Sequence, residues 1–154
     1  MCDLDRLRVA ETLVQYGIER LLQGHFRTSK WALDCALFLR PEISSTLWQR
    51  GLACYYAGSY EEAASQFKED MKLNGNDVEE LIWYFLCHCK IQSFEAASAA
   101  GLLHLSHFSN VIPPMAEVLQ LFQQKMCVAD VLLGSVDKDG IPLKSYNATN
   151  ALAY

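Results

Sequence analysis

Leu47-Trp48-Gln49-Arg50-Gly51, followed by Tyr56-Ala57-Gly58-Ser59-Tyr60-Glu61-Glu62-Ala63 and Phe67, is the stretch that decides the fold of this chain. Each of its landmarks returns 34 residues away: Leu47 as Leu13 and Leu81, Tyr60 as Phe26 and Phe94, Ala63 as Ser29 and Ala97. Gly51 has a counterpart in Gly17, and Gly58 in Gly24. A fixed period of about 20 to 50 residues marks a chain built from stacked units, each too small to bury its apolar face alone. Gly17 and Gly51 fall inside apolar helical stretches, where glycine costs about 1 kcal/mol against alanine. Such a cost is tolerable where a side chain would hold off a neighbouring helix. Ala63 and Ala97 serve the same end on the second helix of their pairs.

Working outward, the pattern predicts helices over 5–22 and 26–39, ended by Gly24 and Pro41. A second pair is expected over 46–57 and 60–73, turned at Gly58, and a third over 78–90 and 94–106. Ser59 with Glu62 and Asp77 with Glu80 have the spacing of capping boxes, in which two side chains satisfy the open amides of a first turn. Asn74-Gly75-Asn76 is a turn signal. Asn110 to Pro114 is a break, followed by shorter helices over 115–124 and 128–133. From Gly134 the chain reads as irregular, with a turn at Asp137-Lys138-Asp139-Gly140. Ala151-Leu152-Ala153-Tyr154 reads either as the opening of a further helix or as a frayed end.

These residues resemble the tetratricopeptide repeat, whose pattern is W-x2-L-G-x2-Y…A-x3-F…P. The middle unit matches best, through Leu47, Gly51, Gly58, Tyr60, Ala63 and Phe67. The first supplies Leu13, Gly17, Gly24, Phe26, Leu33, Ala36 and Pro41. The third keeps Leu81, Phe94 and Ala97, but has Phe85 where a small residue belongs and Gln92 where glycine belongs. The resemblance implies an all-α, right-handed α-solenoid of stacked helix-turn-helix units. A repeat domain is expected over 1–134, with units at about 10–43, 44–77 and 78–111, short helices in 112–134, and an irregular tail over 135–154.

In that family the first helix of each pair lines a groove that takes partners. Carried over, the groove-facing residues are Val14, Ile18 and Leu21 in the first helix, Trp48, Leu52, Tyr55 and Tyr56 in the next, and Ile82, Trp83, Leu86 and Lys90 in the third. Family members that hold acidic tails use a basic clamp there. Here Val14 and Ile18 stand in its place, so an acidic-tail co-chaperone is not expected. Two occupants remain open for so apolar a surface. One is a peptide or amphipathic helix of another protein, anchored by the aromatic residues. The other is the chain's own tail or a second copy, as in a homodimer, because helices apolar all round are normally covered.

Composition excludes other classes. With 51% apolar residues the chain can build a core. Its 13 Lys+Arg against 18 Asp+Glu, without a basic run, argue against a nucleic-acid partner. No apolar stretch reaches the roughly 20 residues of a membrane span, and the charged N-terminus lacks a secretory signal's apolar core. The six cysteines, several inside apolar helical stretches, read as free thiols of a reduced, cytoplasmic protein. Asn147-Ala148-Thr149 matches the glycosylation pattern but carries little weight without a signal sequence. Cys87-His88-Cys89 with His104 and His107 has the ligand types of a zinc site but poor helical spacing. Asp34-Cys35 lies mid-helix without a neighbouring histidine. No catalytic or nucleotide signature is present, so neither an enzyme, a cofactor nor a metal is expected.

Overall fold

The computed structural model describes residues 3–73, 77–104 and 115–125. Among them every regular element is helical: α1 (Asp3–Leu22), α2 (Phe26–Leu39), a 3-10 turn (Pro41–Thr46), α3 (Trp48–Tyr56), α4 (Tyr60–Leu73), α5 (Val78–Ile91), α6 (Phe94–Ala99), a second 3-10 turn (Leu102–His104) and α7 (Met115–Phe122). Consecutive helices pack on one another from α1 to α6, α1 also touches α3, and α7 covers α5. No helix among the described residues is long and apolar enough to cross a membrane.

The first two pairs close in the same way. Gly24 and Gly58 have φ of +77° and +84°, a region that costs glycine little. Behind Gly24, the His25 amide donates to the Arg20 carbonyl at 2.9 Å and the Gly24 amide to Leu21 at 3.0 Å. The Ser59 amide donates to Cys54 at 2.8 Å and the Gly58 amide to Tyr55 at 3.0 Å. Both are the double closure that satisfies the last carbonyls of a helix and reverses the chain.

Repetition extends into the packing. A Cβ on Gly17 would stand 2.6 Å from Leu33 Cγ, and one on Gly51 would stand 2.6 Å from Phe67 Cζ. Leu33 and Phe67 are themselves repeat partners, so one knob-on-glycine contact occurs twice. In the first pair Ser29 adds a buried hydrogen bond, its hydroxyl donating to the Gly17 carbonyl at 2.7 Å.

The third pair departs from this plan. α6 stops at Ala99, seven residues before the expected end at Ser106, because Gly101 adopts φ +67° and turns the chain. Gly101 is the repeat counterpart of Leu33 and Phe67, just as Phe85 is the counterpart of Gly17 and Gly51. Large and small have exchanged places along the pair. Fully buried Phe85 packs edge-on against Phe94 at 5.5 Å and Phe122 of α7 at 6.0 Å. The core there is Val78, Leu81, Ile82, Phe85, Ala97, Leu103, Val118 and Leu119.

Two other boundaries move. α3 starts at Trp48 instead of Thr46, because the stretch after Pro41 forms a 3-10 turn held by the Thr46 hydroxyl donating to the Ile43 carbonyl at 3.1 Å. α7 ends at Phe122, two residues short of the expected Gln124, which has φ +59°. The Asn74-Gly75-Asn76 turn, the break at Asn110 to Pro114, the helix over 128–133 and the tail lie outside the described residues.

A polar network ties α2, α3 and α4 together, and it engages the Glu62 carboxylate that the first expected capping box would use. The Glu62 carboxylate bonds Lys30 Nζ at 3.0 Å and an Arg50 guanidinium nitrogen at 3.1 Å. Arg50 Nε reaches Asp34 at 2.6 Å, and Lys30 bonds the same carboxylate at 2.8 Å. Two cations thus face two anions, a stronger claim on Glu62 than a backbone amide would make. Gln66 extends the network, donating to the Ser44 carbonyl at 2.6 Å and to Asp70 at 3.0 Å.

Candidate functional site

Between α1 and α3 runs an apolar groove of about 530 Å³. Its walls include Ile18, Leu21 and Leu22 from α1, and Trp48, Leu52 and Tyr56 from α3. Phe26, at the start of α2, also lines it and stacks on Tyr56 with ring centres 4.7 Å apart. The double closure at Gly24 brings this ring beside the groove. In the sequence Phe26 was legible only as a repeat landmark. The groove continues past Ile18 and Gln49 into a smaller hollow of about 250 Å³ lined by Val14, Glu11 and Arg40.

Of the eleven residues assigned to a groove, Val14, Ile18, Leu21, Trp48, Leu52 and Tyr56 line this surface. Tyr55 does not. It is half-buried in a ring cluster, edge-on to Tyr56, Tyr60 and Trp83 at 5.5, 5.4 and 5.2 Å. Burial pushes its hydroxyl up to about 12. The α5 assignments need correcting at Ile82, which is fully buried in the third core beside Val118 and offers no surface. Leu86 is half-buried, packed against both that core and the cluster of Cys54, Ala63, Ala64, Phe67, Trp83 and Cys87. Lys90 is exposed on the last turn of α5, away from both hollows. Trp83 is 7% exposed, stacked on Phe67 at 6.1 Å and 14°.

Trp83 nevertheless reaches a second cavity, of about 220 Å³, between α3 and α5. Trp48, Phe67 and Trp83 form its aromatic walls, and Asp77, Glu79 and Glu80 its acidic ones. Asp77 caps α5, its Oδ1 accepting from the Glu79 amide at 3.1 Å. Glu80, expected to complete a capping box, is half-buried, with its carboxyl within hydrogen-bond reach of the Asp77 side chain. Burial, then the nearby Asp77 and Asp70, push its carboxyl up to about 8. Asp70 is pushed up to about 6, chiefly by burial, against the pull of its Gln66 hydrogen bond.

Both carboxyls therefore ionise at higher pH in the folded chain than the ordinary 4.5 and 3.8 of the unfolded one. Protonation favours the fold, so their contribution is fully present below about pH 4 and is lost as pH rises towards about 8. The urea midpoint is expected to fall between pH 5 and pH 8. Glu80→Gln should flatten the upper part of that slope and raise the midpoint at pH 8. The difference between the two chains separates Glu80 from His88, whose ionisation burial shifts to lower pH with the opposite effect; a difference that does not grow with pH would show that Glu80 is not held as described.

Among the described residues no group of three or more His, Cys, Asp or Glu side chains could hold a metal ion. Cys87 is fully buried and burial pushes its thiol up to about 12, while the His88 ring packs on Tyr84 at 4.6 Å. Cys54 is pushed up to about 11 for the same reason, so neither thiol has the raised acidity of a nucleophile. His104 is exposed, and His107 lies outside the described residues. Comparison with family models, with curated proteins and with solved structures finds no match to this chain.

Proposed function

We propose that this chain is an intracellular protein-interaction scaffold, a right-handed α-solenoid of tetratricopeptide-like units that takes a helix or extended segment of another protein between α1 and α3. The observation that carries the proposal is the lining of the groove of about 530 Å³, where Trp48 and Tyr56 are 42% and 46% exposed and Leu22 is 83% exposed. Aromatic and aliphatic side chains around a hollow are the usual anchors for an amphipathic partner. The matching closures at Gly24 and Gly58 and the matching contacts at Gly17 and Gly51 support the repeat architecture. The function is one of binding, with no catalytic step.

A second function, self-association, draws on α2. Trp31 and Phe38, seven residues apart on that helix, are 59% and 85% exposed and lie outside the groove.

Affinity capture from cell extract tests the groove. Trp48→Ala with Leu22→Asp should remove partners that the unmodified chain retains, at unchanged helicity. Loss of a central tryptophan anchor costs about 2–4 kcal/mol of binding, enough to empty a micromolar complex under washing. An unchanged set of captured proteins counts against groove binding. Light scattering over a concentration series tests self-association, which predicts a mass that rises with concentration and falls back in Trp31→Ser with Phe38→Ser.

A further inference from the structure

We infer that α2 pairs with the α2 of a second copy of this chain, antiparallel across a two-fold axis, so that Trp31 of each copy packs on Phe38 of the other. The inference rests on the self-association reading of α2 and gives it a geometry. Trp31 and Phe38 stand two turns apart, about 10 Å along the helix. Both are exposed, on the side away from buried Ser29, Ala32, Leu33 and Ala36. A two-fold axis midway between them exchanges the two rings, and one self-complementary patch then serves both copies.

Charge selects the antiparallel sense. α1, α4 and α5 each carry acids in the first turn and a base in the last, as the helix dipole favours. α2 has neither. Its first turn holds Arg27 instead, exposed and without an ion pair among the described residues. Just past its other end, exposed Glu42 and Glu11 share the one cation Arg40, at 3.1 and 3.5 Å, which leaves a surplus negative charge there. Each end of α2 thus bears the charge that its own dipole disfavours. An antiparallel copy brings Arg27 to the acidic end of the partner's α2, twice over, whereas a parallel copy would set like charge on like.

Both features share one centre. Arg27 and Glu42, like Trp31 and Phe38, are spaced evenly about the point between Asp34 and Cys35. The rotation that exchanges the rings therefore also exchanges the charges, and this is what favours a second copy over an unrelated partner. Half-buried Asp34, at that centre, is already matched by Lys30 at 2.8 Å and Arg50 at 2.6 Å, so the pairing desolvates no unmatched charge. At exposures of 59% and 85%, the four rings of a pair bring roughly 600 Å² to the contact. A stable interface buries about 1,200–2,000 Å². The dimer is accordingly weak and reversible.

Sedimentation equilibrium of the full chain, from micromolar to millimolar concentration, tests the inference. The mass should rise and level off at twice that of one chain, and Trp31→Ser with Phe38→Ser should keep it monomeric. Arg27→Glu and Glu42→Lys, each alone, should weaken the dimer about threefold to tenfold at low salt, since each breaks two equivalent rim pairs. Combined, they should restore it, because the reversed charges attract again across the axis. Arg27→Glu should also raise the urea midpoint of the monomer by placing an acid in the first turn of α2, so weaker pairing cannot be laid to unfolding. A dimer lost with the rings but indifferent to both reversals, or not restored by their combination, overturns the antiparallel two-fold and leaves self-association through α2 standing. A mass that climbs past the dimer has the same effect, since a closed two-fold contact stops at two copies. A chain that stays monomeric throughout, or a dimer that survives loss of both rings, overturns the two together.

Discussion

Phe85→Ala is expected to destabilise the chain by about 3–5 kcal/mol, although it installs the small residue that the repeat pattern asks for at this position. The phenylalanine is fully buried and touches the Phe94 and Phe122 rings. Its removal leaves a cavity that those rings and Val118 can only partly close. No helix axis is waiting to move into the space, because Gly101 has already ended α6. Against a total of about 5–15 kcal/mol for a domain of this size, the loss is a large fraction. Urea unfolding followed by far-ultraviolet circular dichroism measures it. A loss below about 1 kcal/mol would mean that α7 does not pack on α5 as described. Phe85→Gly should be worse by about another 1 kcal/mol, the helix cost of glycine.

The second large effect has the opposite sign from what helix propensity suggests. Gly51→Val exchanges glycine for a better helix former, yet it should cost about 1–3 kcal/mol by overpacking. The new Cβ would stand 2.6, 2.7 and 3.0 Å from three atoms of the Phe67 ring. Phe67 has little room to retreat, being 1% exposed and stacked on Trp83. Phe67→Leu should therefore be less harmful in the Gly51→Val chain than in the unmodified one, with a coupling of about 0.5–3 kcal/mol. Purely additive losses would show that the two positions do not touch. The same cycle at Gly17 and Leu33 should give a weaker coupling, because a leucine can change rotamer where a stacked ring cannot.

Spacing alone revealed the helix pairs, because a residue 34 positions on lands in the same place of the next pair, and glycine inside a helix is informative there. The α1 and α3 faces that line the hollow came from the family resemblance, carried over helix by helix. It failed on α5. Ile82 and Leu52 look alike in sequence, both apolar and on a first helix, but α7 packs over the third core and no period announces α7. It also failed on charge. Arg50 meets Asp34, sixteen residues back, only because α2 lies beside α3, and Glu62 turns from its own helix start to that guanidinium. Trp48 and Trp83 are 35 residues apart in the chain, one step off the repeat, so their shared cavity is invisible to a search for period.

Local sequence thus determined that this chain is helical, where its first two pairs turn, and which glycines admit a neighbouring side chain. Those properties depend on backbone freedom and on contacts at a constant separation along the chain. Packing between non-equivalent helices decided the rest: the burial of Ile82, the ion network across α2, α3 and α4, and the meeting of two indoles with three acids. Such contacts depend on which faces remain uncovered once the helices have stacked, and that is a property of the assembled chain.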